Sequence, residues 1–160
     1  FSGSSTSNLH LKVIHYPLEF YNSQGASPER SGTAYCIRKG KGKPIQHDVE
    51  DSILIDGKSH KEVSEIFKKV KRFISYDTMT AYSIFAVLCG CESVVIPDKD
   101  VSIDQWYPDY RDRYGISYGF SNIEEAAMTK HLVKSRIMEE HERSIENVQS
   151  AFNEIDSHFN

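Results

Sequence analysis

Long apolar runs are missing from this sequence. None approaches the ~20 residues needed to span a bilayer, and the longest, Ser83 to Cys89, suits a buried helix segment. A large charge of one sign is missing too. A net charge of −4 exerts no general pull on nucleic acid, so an anionic ligand must be held by a local group of cations. The cysteines, Cys36, Cys89 and Cys91, are few and odd in number, which argues against a disulfide framework and for a reducing compartment, the cytoplasm. Cys89-Gly90-Cys91 lacks the second pair, or the spaced histidines, of a structural metal site and reads as two small buried residues. The seven histidines contain no metal-binding spacing, and no internal repeat occurs. What remains is an ordinary globular composition, 39% hydrophobic and 26% charged, in a chain long enough for one domain with its own core.

The Ser-rich opening "FSGSSTSN" has no core pattern and is expected to be a disordered lead, with further sequence upstream of it. "LHLKVIHYP" alternates polar and apolar residues like a strand, and "LEFYNSQGASPERSG" reads as a linker or long loop. These make 1–31 a lead, strand and linker, and 32–160 the folded domain. There "TAYCI" predicts a first strand through Ile37, broken by Arg38-Lys39-Gly40-Lys41-Gly42-Lys43, and "DSILIDG" a short, continuously apolar second strand. Ser59 and Glu62 form a capping box for a helix with Val63, Ile66, Phe67 and Val70 on one face. A strand at Arg72 to Ser75, a helix at Thr78 to Cys89 and a strand at Ser93 to Ile96 follow. "DQWYPDYRDRYG" is a loop with aromatic anchors, leading to a strand at "ISYG". A second capping box, Ser121 and Glu124, opens helix to about Phe159 in two pieces, with a seam at Ile145, Val148, Phe152 and Ile155. Near-unbroken apolar strands separated by helices predict a Rossmann-like α/β fold, a parallel sheet with helices on both faces.

Such sheets bind ligands at the carboxyl ends of their strands. One loop expected there offers four cations, Arg38, Lys39, Lys41 and Lys43, around two glycines that let backbone amides approach an anion; a solvated basic turn has the same sequence. No Gly-Lys-Ser/Thr closes it, so it is not a P-loop. In the turn Tyr76–Thr80, Asp77 or Thr78 is expected to cap the next helix, and Thr78 and Thr80 put hydroxyls beside amides that favour phosphate. Asp56 to His60 is a third loop at this edge, with His60 as a candidate ligand contact. Asp98-Lys99-Asp100 after an apolar strand is the competing signal, for a divalent ion, although Pro97 bends the chain between strand and acids. The basic loop supplies positive charge of its own, so no metal and no cofactor is expected.

"GTAYCIRKGKG", "SHKEVSEIFKKVKRFISYD", "TAYSIFAVLCGCESVVIP" and "WYPDYRDRYGISYGFSNIEEA" together resemble the C-terminal, nucleotide-sugar-binding half of GT-B-fold glycosyltransferases of bacterial surface-polysaccharide and capsule assembly. The similarity runs from Gly32 to Phe152. It implies that Arg38, Lys39 and Lys41 meet the donor diphosphate. It also implies that Tyr76, Asp77, Thr78 and Thr80 close over phosphate and sugar, and that Asp56 to His60 lies near the base. The implied partners are a nucleotide-sugar donor, a glycan or glycolipid acceptor and an N-terminal Rossmann half of the same enzyme. Peripheral membrane association of the full enzyme is also implied; nucleic acid is not. Many retaining members carry two glutamates separated by seven residues across this turn and helix. Here those positions hold Asp77 and Phe85, and Phe85 has no group to bond a ribose.

Two other readings compete. A non-catalytic nucleotide- or phosphosugar-binding module would keep the same fold and the same loops. A receiver-like signalling domain would use Asp77 or Asp98 as phosphoacceptor, but it calls for acids at the end of the first strand, where this chain has cations.

Overall fold

The structure, a computed structural model, describes residues 16–159, the side chains of Val148 and 151–159 excepted. It divides into two compact units. One is Pro17–Val133; the other takes in Tyr16 and the chain from Lys134 onward. The expected strand over Leu9 to Pro17 lies almost wholly outside the described residues.

In the first unit, β1 (Thr33–Cys36), β2 (Ser52–Leu54), β3 (Arg72–Ser75), β4 (Glu92–Val95) and β5 (Ile116–Tyr118) form an all-parallel sheet in the order β2-β1-β3-β4-β5. The fold is Rossmann-like α/β. Register follows from the pleat: Ala34 faces Phe73, Tyr35 faces Ile74, and Ile74 faces Val94. Alternate residues therefore go to opposite faces. Tyr35, Ile74, Tyr76, Val94 and Ile96 form the core of one face, with Phe120 and Ile123 packed on it. On the other, α1 (His60–Phe67) and α2 (Tyr82–Cys89) bring Val63, Phe67 and Phe85 over Phe73 and Val95, all of them buried.

The Ser59–Glu62 capping box forms as expected at α1. Arg30 then ties the far ends of both helices together. Its guanidinium donates to the carbonyls of Phe67 (2.8 Å), Val70 (3.1 Å) and Cys89, and Lys130 Nζ donates to Gly90 O at 2.8 Å. Cations at helix carboxyl ends satisfy orphan carbonyls and oppose the helix dipole. Gly90, at φ 103, supplies the left-handed residue that ends α2.

Several expectations need correction. β1 stops at Cys36, because Ile37 turns into a one-turn 3₁₀ segment at Arg38–Gly40. β2 is the sheet's edge, so its apolar run is only partly buried: Ile53 and Leu54 are 44% and 40% exposed, while Ile55 just past it is buried. α2 begins at Tyr82, four residues later than expected, with Ala81 at its N-cap and no side-chain cap. The second capping box does not form. A 3₁₀ turn at Phe120–Asn122 places Asn122, also without a side-chain cap bond, at the N-cap of α4 (Ile123–Thr129). One-turn α3 (Ile103–Trp106) carries the unanticipated box, Ser102 with Gln105.

The expected linker, 18–31, has no helix or strand, yet it belongs to this unit. Tyr21 is only 1% exposed and stacks on Phe85 at 4.2 Å. Burying a ring of that size contributes about 1.5–3 kcal/mol.

The second unit is built on α5 (Val133–Phe159). Tyr16 Oη donates to Glu140 Oε2 at 3.1 Å, and Arg136 pairs with Glu139 and Glu140. Helix does continue to Phe159 in two pieces, joined by a 3₁₀ turn at Lys130–Leu132. Of the expected seam, Ile145 is 40% exposed, and the side chains of Val148, Phe152 and Ile155 lie outside the described residues. Among the described residues no helix is long and apolar enough to cross a membrane.

Candidate functional site

Parallel strands carry their carboxyl ends to one edge, so the loops after β1, β2, β3 and β4 converge there. The strand order adds a second fact. From β1 the chain leaves toward β2 on one side, and from β3 toward β4 on the other, which makes the β1/β3 boundary the topological switch point. The basic loop and the turn Tyr76–Thr80 flank that boundary.

Asp56 fixes the loop after β1. Its Oδ2 accepts the amides of Ile37 (3.3 Å) and Arg38 (3.0 Å), holding Arg38 at φ 44, a left-handed conformation uncommon outside glycine. Asp56 Oδ1 is buried without a hydrogen-bond partner among the described residues. Gly40 is fixed by contact rather than by φ: a Cβ there would lie 2.1 Å from the Tyr76 carbonyl oxygen. The loop after β1 therefore sits directly on the end of β3.

The four cations separate into two kinds. Lys43 turns inward, and its Nζ donates to Tyr76 O (2.8 Å) and Ile96 O (2.8 Å) and pairs with Asp98 Oδ1 at 2.7 Å. It closes the ends of β3 and β4 and is not an outward ligand group. Arg38, Lys39 and Lys41 point out. The Arg38 side chain is 46% exposed, its guanidinium 5.1 Å above the Tyr82 ring and 3.9 Å from the buried Asp77 carboxylate. Lys39 and Lys41 are exposed and make no hydrogen bond or ion pair among the described residues.

In the next turn, neither Asp77 nor Thr78 caps α2. Asp77 Oδ1 accepts Met79 N at 3.0 Å, closing a local turn, and the Thr78 hydroxyl donates to Asp98 Oδ2 at 3.1 Å. The Trp106 indole donates to Thr78 O at 2.8 Å, locking the turn from above. Thr80 is the one threonine beside the helix start, its Oγ1 accepting Tyr82 N at 3.3 Å. Tyr76 is fully buried; His47 Nδ1 (2.7 Å) and the amide of Gln46 (2.9 Å) engage its hydroxyl. His60 reaches the Tyr21 hydroxyl through Nδ1 at 2.6 Å and joins a ring cluster with Phe20, Tyr82 and Phe85.

The electrostatics follow from these contacts. The Lys43 hydrogen bond holds the Asp98 carboxyl below its ordinary range, with the Thr78 hydroxyl adding to the effect and partial burial opposing it. Asp98 is thus neutralised internally, and among the described residues no group of three or more His, Cys, Asp or Glu is arranged to hold a metal ion. Burial lowers the His47 pKa, against a smaller upward pull from Asp48. Burial also pushes the Cys36 thiol, just below the edge, up to about 12, so it is no nucleophile at neutral pH.

Tyr21, His47, Tyr82 and Trp106 help build this edge and were not singled out as site residues. Tyr21 carries no local signal, since it lies in a Ser- and Gly-rich stretch. Trp106, the sole tryptophan, does carry one: an indole rarely packs without a partner for its N–H. Compared with known protein families, curated proteins and solved structures, the chain matches nothing.

Proposed function

We propose that the Pro17–Val133 unit is the donor-binding domain of a glycosyltransferase, which takes a nucleotide sugar and holds its diphosphate between the ends of β1 and β3. One observation carries this reading: Arg38, Lys39 and Lys41 project from a loop fixed by Asp56 and Gly40 at the topological switch point. Fixed cations at a sheet edge favour a multiply charged anion, and they stabilise a departing nucleoside diphosphate more than the bound donor. The Thr80 hydroxyl and the amides of the turn extend the anion site. The acceptor, a glycan or glycolipid, is held by a second Rossmann half, which supplies the opposite wall of the cleft and the catalytic base.

Calorimetric titration with UDP, GDP, dTDP and ADP tests this. At least one is expected to bind without a divalent ion, more weakly as salt rises. Arg38→Ala should reduce affinity by about 1–3 kcal/mol, the usual loss for a charged hydrogen bond. Heat signals absent for all four nucleotides would sink the proposal. The chain alone is expected to release no nucleoside diphosphate from a panel of nucleotide sugars, and joining it to the second half should restore transfer. Binding without restored transfer would favour a non-catalytic nucleotide- or phosphosugar-binding module.

A further inference from the structure

Between the basic loop and β2, residues 44–51 form neither helix nor strand. The middle of this segment is tied down at His47, both of whose ring nitrogens are engaged. Nδ1 lies 2.7 Å from the Tyr76 hydroxyl, and Nε2 lies 3.2 Å from the Ser52 hydroxyl. The ring itself sits 4.5 Å from the ring of Tyr35, which is buried on the sheet.

The neighbours of these hydroxyls fix where each proton lies. Ser52 Oγ donates to Val49 O at 3.0 Å, so it can only accept from His47, and Nε2 carries the hydrogen. Nδ1 is then bare and accepts the Tyr76 hydroxyl, whose oxygen in turn accepts the Gln46 amide at 2.9 Å. The bonds form one directed chain, from Gln46 through Tyr76, His47 and Ser52 to Val49. A proton added to Nδ1 breaks it. The Tyr76 hydroxyl must then turn its own proton away, and among the described residues its oxygen has no partner besides Gln46 and His47. Tyr76 is fully buried, so water does not replace the lost acceptor.

The surroundings of the ring do little to welcome that proton. Burial opposes it, against a smaller upward pull from the exposed Asp48. Tyr35 from β1 and Tyr76 from just past β3 face the ring, and phenols carry no charge in acid. Glu50 and Asp51, elsewhere on the segment, are exposed.

We infer that residues 44–51 form an acid-released latch: protonation of His47 breaks its bond to Tyr76 and lifts the segment off the sheet, uncovering Tyr35. Lys43 stays bound to Tyr76 O, Ile96 O and Asp98 on one side of the latch, and β2 stays paired with β1 on the other. The opening is therefore local, and Arg38, Lys39 and Lys41 keep their positions. This inference does not rest on the proposed nucleotide site.

Amide hydrogen exchange of the full 160-residue chain, corrected for the intrinsic effect of pH, provides the test. The Gln46 amide should be protected at neutral pH. Below the ordinary histidine value of 6.5 its exchange should accelerate by up to about tenfold per pH unit. The amides of Tyr76 and Ile96, bonded to Cys36 O and Ser75 O, should not follow. His47→Gln keeps a neutral acceptor and donor and should abolish the acceleration, whereas Tyr76→Phe should leave Gln46 unprotected at every pH. Nitrogen chemical shifts of the wild-type ring give a reading that needs no variant: the neutral imidazole should carry its proton on Nε2. A Gln46 amide whose corrected exchange is unaltered down to about pH 5 overturns the inference. So does an acceleration that survives His47→Gln, one that the Tyr76 and Ile96 amides share, or a neutral ring protonated on Nδ1.

Discussion

Both edges of the sheet carry cations, but the cations do different things. At the amino edge Arg30 and Lys130 are consumed by carbonyls at the ends of α1 and α2. At the carboxyl edge Lys43 is consumed in the same way, by Tyr76 O and Ile96 O, while Arg38, Lys39 and Lys41 remain outside. The difference is a matter of geometry. A cation within reach of orphan carbonyls becomes part of the scaffold, and one beyond their reach stays available to a ligand. One loop supplies both kinds, and its scaffold member, Lys43, steadies the platform for the others.

The largest effect should come from the amino edge. Arg30→Ala removes charged hydrogen bonds to three carbonyls, leaving Phe67 O and Val70 O to the weak Cys91 thiol donor, and should cost about 3 kcal/mol, read as a lower urea midpoint at unchanged slope. Arg30→Lys should recover only part, because one ammonium cannot span the carbonyls that a planar guanidinium reaches. Nucleotide affinity measured on the folded protein should not change.

Gly40→Ala comes next, at about 2 kcal/mol, since the new Cβ forces the loop off the Tyr76 carbonyl. Unlike Arg30→Ala it should also weaken nucleotide binding, because the displaced loop carries Arg38. A stability loss with intact binding would show that the loop need not rest on β3.

Lys43→Met is the sharper probe of the division between scaffold and ligand cations. It should destabilise by about 1–2 kcal/mol in chemical denaturation and reduce nucleotide affinity only modestly. The reverse pattern, unchanged stability and lost binding, would make Lys43 a ligand cation and erase the distinction.

The smallest effects should appear with pH. Asp98 is held below its ordinary value of 3.8, so its contribution is complete above that value and is lost as pH falls through the lower folded-state value. It is half exposed, so the change is slight, and Asp98→Asn should remove it. His47 acts in a higher window. Burial lowers its pKa from 6.5, so stability is complete above 6.5 and declines as acid forces a proton onto the ring. Denaturation midpoints measured from pH 7 down to about 3 should separate the two steps. A curve unchanged by His47→Gln in the upper window would count against the partly buried His47–Tyr76 contact.

Much of the fold was legible because its signals are local. The Ser59–Glu62 box spans three residues, and β3, β4 and β5 announce themselves as apolar runs close to where they form. The failures have a common physical cause. Thr78 looked like a helix cap because Thr beside Asp before an apolar run usually is one, yet its hydroxyl is drawn to Asp98, twenty residues on. The helix starts later as a result. Ser121–Glu124 had the spacing of a box, but the 3₁₀ turn at Phe120–Asn122 moved the start past it. Of the candidate site, the outward cations were legible and the roles of Tyr76 and Asp56 were not. Both hold the edge together through partners in the segment after β1: Asp56 accepts the amides of Ile37 and Arg38, and Tyr76 meets Lys43, the Gln46 amide and His47.

The sequence alone determined where β3, β4 and β5 lie, where α1 begins, and that cations cluster after the first strand. Each depends on neighbours within about one turn or one pleat. Only the tertiary structure decided that β2 is an edge, because strand order is a property of the whole sheet. It also decided which cations point outward. The carbonyls that claim Lys43 lie 33 and 53 residues away in the chain, and those that claim Arg30 lie 37, 40 and 59 away. No local pattern reports on such distances; the folded backbone brings those oxygens within reach, and a lysine or arginine takes its role from what it finds there.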